Sequence, residues 1–246
     1  MTKPFAVLTL LVLAAGLSAC GDKQEASAPA ANIAAGKDIP PPAGKQWGDV
    51  VAITPEMGVA MGNAQAPAKL IEYGSYTCSH CADFQRQSDT AMRLGYVGPG
   101  KVSVEVRHFI RDPIDLTVAM LANCGDPKNF FYNHNAFLVS QEGWMQHAQS
   151  ATAAQKQRWT TGPTPARLRA IAGDFGFYAV LERRGITRTA QDRCLADEAM
   201  MRRIVGQMSN GQDLGVEGTP SFLLNGELLA GTHDWQSLEL QIKARL

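Results

Sequence analysis

Residues 68–84 read AKLIEYGSYTCSHCADF. Ala68 to Tyr73 is short, apolar and flanked by turn-forming residues, which predicts a strand. Gly74 to Thr77 reads as a loop. From Ser79 to Leu94 the period changes to that of a helix, with Cys81, Phe84, Ser88 and Met92 along one side. Val102 to His108 (VSVEVRH) then alternates β-branched and polar residues, as a strand does. Strand, helix, strand over 68–108 is a βαβ unit, which requires a parallel strand pair and a right-handed crossover. Cys78 falls where the loop enters the helix.

A Cys-x-x-Cys at such a junction has a specific use. At a helix N-terminus the free backbone N–H groups and the macrodipole stabilise a thiolate, and the thiolate is the nucleophile of disulfide exchange. Two intervening residues bring Cys81 round the first turn to within bonding distance. Cys78 is expected to be exposed and to attack, and Cys81 to be partly covered and to resolve the mixed disulfide. His80, between them, is expected to face Cys78 and lower its pKa further. The competing readings are a zinc site and a purely structural disulfide. Zinc takes four ligands. The chain has no second Cys-x-x-Cys, and His80, His108, His134, His147 and His233 show no ligand spacing. Neither a metal nor a cofactor is called for.

Upstream of this unit, Asp49 to Thr54 reads as a short strand, Gly58 to Gly62 as a partner strand or turn, and Asn63 to Pro67 as a loop. Downstream, residues 111–210 read as a helical block. Helices are predicted over 113–123, 128–140, 164–184 (weakened by Gly173 and Gly176) and 189–208, the last with Thr189 as N-cap. Residues 143–163 are polar and poorly periodic, and read as an exposed helix-loop excursion. Phe130, Phe131, Trp144, Met200 and Met201 read as core or as an apolar substrate-facing surface, and His134 and His147 as surface or capping residues. After Gly211 strand character returns: 221–225 and 227–230 flank Asn225-Gly226, the strongest short hairpin signal. Asp234 can cap a last amphipathic helix lined by Leu238, Ile242 and Leu246. The order is β-α-β, helical insertion, β-β-α.

The chain has 246 residues, with 23 basic and 23 acidic side chains. That balance argues against a nucleic-acid binder. The N-terminus is different in kind. Lys3 precedes an apolar run from Phe5 to Gly16, too short for a membrane span and fitting the core of a secretory signal. It ends in Leu17-Ser18-Ala19-Cys20-Gly21, which resembles the bacterial lipoprotein box; residues 1–20 are then a leader and Cys20 the lipidated N-terminus of the mature chain. The bland alternative is an ordinary signal peptide with an accidental Cys. Residues 21–46, rich in Ala, Pro and Gly with no apolar period, read as a flexible tether, with order beginning near Trp47. Either reading places the chain in an oxidising, extracytoplasmic compartment. With Cys20 lipidated and Cys78 paired to Cys81, Cys124 and Cys194 remain for each other.

Ile71-Glu72-Tyr73, Cys78-Ser79-His80-Cys81, the long helical insertion and Gly218-Thr219-Pro220-Ser221-Phe222 together resemble the DsbA-like branch of the thioredoxin superfamily. The resemblance covers about residues 47–246. It implies an α/β thioredoxin fold, built from 47–110 and 211–246, with 111–210 as the inserted helical domain. It implies that Thr219-Pro220 is a cis-proline loop against the cysteine pair, with the Thr219 backbone offered to an incoming polypeptide. It implies that Glu72 is a buried acid beneath the site, its pKa raised by burial, relaying a proton to or from Cys81. His80 matches the family's dipeptide histidine. Two departures matter: Ser79 stands where the best-known oxidases have Pro, and Thr219 where some members have Val, so oxidising strength and substrate grip are open. Relatives with a second, noncatalytic disulfide favour a structural Cys124–Cys194 bond; two free thiols or a second redox pair are the alternatives. The expected function is an oxidase that passes its Cys78–Cys81 disulfide to unfolded or cysteine-containing proteins. A membrane redox partner would recharge it, and the chain is expected to act as a monomer. A reductase or isomerase, a redox-inactive peptide-binding module and a copper metallochaperone are the alternatives.

Overall fold

The structure, a computed structural model, describes residues 38–246. The leader, Cys20 and the tether as far as residue 37 lie outside the described residues. Six strands form one mixed sheet in the order β1-β2-β4-β3-β5-β6. They are β1 (Val51–Ile53), β2 (Val59–Gly62), β3 (Ala68–Gly74), β4 (Val102–His108), β5 (Ser221–Leu224) and β6 (Glu227–Leu228). The central strands β3 and β4 pair in parallel, and every other pairing is antiparallel. The parallel pair is the one that the βαβ reading requires. The β5–β6 turn has Asn225 at φ +53 and Gly226 at φ +86. Two successive positive φ values are what an Asn-Gly hairpin turn needs.

Strand period explains what β3 places where. Ala68, Leu70 and Glu72 share one face, and all three are buried. Leu70 lies between Val104 and Leu224, and Glu72 between Val106 and Phe222. A carboxylate therefore occupies a core position of the central strand. Helix α1 (Ser79–Ala91) buries Cys81, Ala82, Phe84, Gln85 and Ser88, and runs on through a wide, π-type turn at Met92–Val97.

Eight helices follow β4: α2 (Pro113–Ala122), α3 (Phe130–Val139), α4 (Gln141–Ser150), α5 (Ala153–Thr160), α6 (Thr164–Asp174), α7 (Phe177–Glu182), α8 (Arg188–Cys194) and α9 (Glu198–Asp213). A final helix, α10 (Trp235–Lys243), is capped by Asp234, whose side chain accepts from the Ser237 N–H. The aromatic residues of the insertion interlock. Phe177 lies 5.7 Å from Phe137, 5.2 Å from Trp144 and 5.2 Å from Phe175, ring centre to ring centre. Such contacts continue the sheet's core into the helical block.

Several expectations are corrected. The helix expected over 164–184 is two, broken at Phe175-Gly176, where Gly176 takes φ +69. The helix expected over 189–208 is also two. Thr187, not Thr189, caps α8, and Asp197 caps α9 by accepting from the Met200 N–H. A second N-cap restarts the helix after Cys194, which periodicity alone does not show. Residues 143–163 are largely exposed, as expected, but more regular than a helix-loop excursion: they form most of α4 and α5, anchored by buried Trp144 and Trp159, with a Thr152–Gln155 capping box between them. His134 is buried in the core rather than at the surface. Order also reaches back before Trp47. The Ile39 N–H donates to Pro99 O at 2.9 Å, and the Trp47 indole N–H donates to Ile39 O at 2.7 Å. A Cβ on Gly100 would come within 2.6 Å of the Trp47 indole nitrogen, so this docking needs glycine there.

Candidate active site

The loop before Cys78 carries backbone and side-chain groups that must be satisfied away from water, and the insertion supplies the partners. Asp112 caps α2, accepting from the N–H groups of Ile114 (2.8 Å) and Asp115 (2.9 Å), and also accepts from Thr77 Oγ1 at 2.7 Å. Asp115 is wholly buried and accepts from Ser75 Oγ (2.6 Å), the Tyr76 N–H (2.8 Å) and the Arg111 N–H (3.0 Å). Burial pushes its carboxyl up to about 7, against the pull of those hydrogen bonds. From the start of α4, Gln141 Nε2 donates to Tyr76 O at 2.7 Å and to Cys78 O at 2.8 Å. Two inserted helices thus clamp the loop that presents Cys78. Sequence reading missed Asp112, Asp115 and Gln141. Asp112 followed by Pro113 was a legible helix start, but nothing local ties Gln141 to a cysteine far upstream.

Cys78 is the N-cap residue of α1. Its Sγ donates to Thr219 O at 3.2 Å. Contrary to expectation Cys78 is covered, with 4% of its surface exposed, because Thr219 lies against its sulfur; Cys81 is completely buried. Both thiols are free. The two cysteines are pushed apart. A hydrogen bond from the Cys81 thiol, outweighing burial, lowers Cys78 to about 5, with the Thr219 side chain, the Cys81 backbone and the Arg111 charge assisting. Burial, together with the neighbouring Cys78 and Glu72, raises Cys81 well above the ordinary thiol value. The lowering expected from His80 thus comes foremost from Cys81. His80 is exposed at the mouth of the site.

Thr219-Pro220 is a cis peptide. Ser221 Oγ donates to Gly218 O at 2.8 Å, within the same loop. Thr77, Cys78, His80, Phe109, Arg111, Glu217 and Thr219 border an open groove of about 450 Å³. Beneath it Glu72 is 3% exposed, and burial first, then the charge of Cys78, raises its carboxyl to about 8. Its Oε1 has no hydrogen-bond partner among the described residues. The structure thus brings Cys78, Cys81, Glu72, Thr219 and Pro220 together, with His80 at the rim.

Cys124 and Cys194 are bonded, S–S 2.06 Å and Cα–Cα 5.6 Å, joining the ends of α2 and α8. Among the described residues no group of three or more His, Cys, Asp or Glu side chains could hold a metal.

Comparison with known proteins agrees with this arrangement. A relative from Rickettsia typhi carrying the name protein-disulfide oxidoreductase is 36% identical over 87 residues, 35% of this chain and 32% of its own. One from Rickettsia bellii is 26% identical over 173 residues, 70% of this chain and 58% of its own. The chain spans about a third of the length of the first of these relatives. The crystal structure of a protein-disulfide isomerase from Novosphingobium aromaticivorans superposes with a TM-score of 0.72 at 46% identity, covering 76% of this chain and 95% of that one. Wolbachia pipientis α-DsbA1 shares the fold, with a TM-score of 0.58 at 23% identity over 75% of this chain and 88% of its own. The model of the family described as thioredoxin matches residues 54–244, from just after β1 through α10 and far more than half of the sequence, and so this chain belongs to the thioredoxin family.

Proposed function

We propose that the chain is a thiol–disulfide oxidoreductase working in the oxidising direction on exported polypeptides. The observation that carries this reading is the asymmetry of the pair: Cys78 is lowered to about 5, while Cys81 is raised and buried over Glu72. A stabilised Cys78 thiolate favours the reduced protein and makes Cys78 a good leaving group, so the oxidised form tends to give its disulfide away.

A substrate thiolate attacks Cys78 Sγ, forming the mixed disulfide and breaking the Cys78–Cys81 bond. The electron pair of that bond leaves on Cys81, which takes a proton from Glu72. A second substrate thiolate then attacks the substrate's own sulfur and expels Cys78 as a thiolate. The substrate gains a disulfide, and the two cysteines of the protein are reduced. With its pKa at about 8, Glu72 holds a proton at neutral pH, as this step needs. An extended polypeptide fits the open groove along the Thr219 backbone.

Extracytoplasmic placement and a lipid anchor at Cys20 are part of the proposal. They rest on the leader and on Leu17-Ser18-Ala19-Cys20, and a Cys124–Cys194 bond suits an oxidising compartment. Reoxidation then falls to a redox partner in the same membrane. Labelling with a radioactive fatty acid, lost in Cys20→Ser, tests the anchor. The name of the Novosphingobium structure favours a second reading, an isomerase of the same fold.

The test is the equilibrium potential of Cys78–Cys81 in the full chain, equilibrated in glutathione buffers and read by alkylation and mass. A value near the about −120 mV of DsbA supports the oxidase. A value near the about −270 mV of thioredoxin refutes that direction and makes the protein a reductase.

A further inference from the structure

Among the described residues, three buried side-chain atoms lack a hydrogen-bond partner: Glu72 Oε1, His134 Nε2 and Gln191 Oε1. Glu72 and His134 line the same cavity, about 30 Å³, bordered by β2, β3, β4, α1, the turn after α1 and α3. A single water occupies roughly 10–15 Å³ on this measure and needs at least two polar partners. The cavity is therefore large enough and polar enough to hold one.

The protonation of His134 follows from its other nitrogen. His134 Nδ1 lies 2.9 Å from the Tyr76 hydroxyl. Tyr76 is completely enclosed, and burial first, then Asp115 and Glu72, raises it well above the ordinary phenol value, so it keeps its proton. Among the described residues that hydroxyl has no other hydrogen-bond partner, so the O–H donates to Nδ1. The ring is neutral, because burial and then His134's neighbour Arg93 lower it to about 3. Its one N–H is therefore on Nε2, the buried nitrogen left without a partner on a residue that lines the cavity. The opposite tautomer would leave the Tyr76 O–H without an acceptor.

We propose that His134 is a positioning residue for Glu72: its Nε2–H and the Glu72 carboxyl hold a water between them, and that water carries protons to and from Glu72. The inference rests on the exchange chemistry proposed for Cys78 and Cys81. The cavity shares no lining residue with the groove at Cys78. Its wall includes Asp89 and Arg93, ion-paired at 2.7 Å and partly exposed, which give a path to solvent. A polypeptide seated in the groove therefore leaves the proton route to Glu72 open. The charged and titratable groups around the pair are Cys78, Cys81 and Asp89 of α1 and its N-cap, Tyr76 of the loop, Arg93 of the turn after α1, His108 of β4 and Asp115 of α2.

The test is the titration of the Glu72 carboxyl in the reduced full chain, followed by its infrared C=O stretch and assigned with Glu72→Gln. Loss of the Nε2–H donor in His134→Phe should raise the midpoint by about one pH unit, a tenfold change in proton affinity. His134→Gln, which restores an N–H donor, should recover at least half of that. An unchanged midpoint in His134→Phe overturns the proposal. A second measurement needs no variant: imidazole nitrogen shifts in the wild-type chain should show Nε2 protonated, Nδ1 bare, and both moving as Glu72 titrates. The reverse tautomer, or shifts indifferent to Glu72, also overturns it. Wild-type exchange with a dithiol peptide, measured alongside, tests the exchange chemistry separately from the water site.

Discussion

Replacing Glu72 by Gln should make the protein more stable and less active, and the gain in stability should grow with pH. Glu72 ionises near 4.5 in the unfolded chain and near 8 when folded. Its folded pKa is raised, so the folded state holds a proton that the unfolded state has lost. The stability linked to it is fully present below about 4.5 and falls as pH rises towards 8. At roughly 1.4 kcal/mol per unit, the linked loss is below about 1 kcal/mol at pH 5 and about 4 kcal/mol at pH 7.5. Glutamine keeps the shape and cannot ionise. The stability gap between Glu72→Gln and wild type should therefore widen by about 3 kcal/mol from pH 5 to pH 7.5, or roughly 6–12 °C in Tm for a domain of this size. Denaturant unfolding of both reduced chains at the two pH values measures it. Loss of the Cys124–Cys194 bond under reducing conditions is common to both chains and cancels in the difference. Dithiol exchange at neutral pH should slow about a hundredfold, the contribution of a positioned proton donor. A gap that stays constant or narrows with pH would falsify the argument, because the folded chain would then hold no extra proton at residue 72.

Alkylation of the reduced chain should modify Cys78 with a midpoint near pH 5, while Cys81 stays unreactive through neutral pH; Cys81→Ala, which removes the donor beside the sulfur, should move that midpoint upward, and an unmoved midpoint would mean that Cys81 does not hold the thiolate. Removing the second disulfide as Cys124→Ser/Cys194→Ser opens a loop of sequence separation 70, which should lower the unfolding free energy by about 4 kcal/mol. The potential of Cys78–Cys81 should stay the same in that variant, and a shifted potential would point to a redox role for the second pair. Gln141→Ala leaves two buried carbonyls, those of Tyr76 and Cys78, without their donor. That should destabilise by roughly 1–3 kcal/mol and quicken amide exchange at residues 76–78; normal protection there would count against the clamp.

Most of what recurs locally was legible. The strand period over 68–73, the helix beginning at Ser79 and the Asn225-Gly226 turn each follow from residues a few positions apart. Helix breaks inside the insertion were harder to read. Apolar spacing over 189–208 continues across the break, because a new N-cap at Asp197 restarts the helix with little change in the apolar pattern. Trp144 and Trp159 lie in polar stretches whose average hides two anchoring side chains.

By itself the sequence determined part of the chemistry on offer: two cysteines at a helix start follow from covalent order and the helix period, while the buried acid at residue 72 and the Thr-Pro loop against the pair came only through the family resemblance. Only the tertiary structure decided how that chemistry is tuned. Asp115 meets the cysteine loop across 39–40 residues, Gln141 meets Tyr76 and Cys78 across 65 and 63, and His134 meets Tyr76 across 58. Contacts of that span carry no local period. Burial, which sets the proton affinity of Glu72, Cys81 and His134, is created only when the inserted helices close over the sheet.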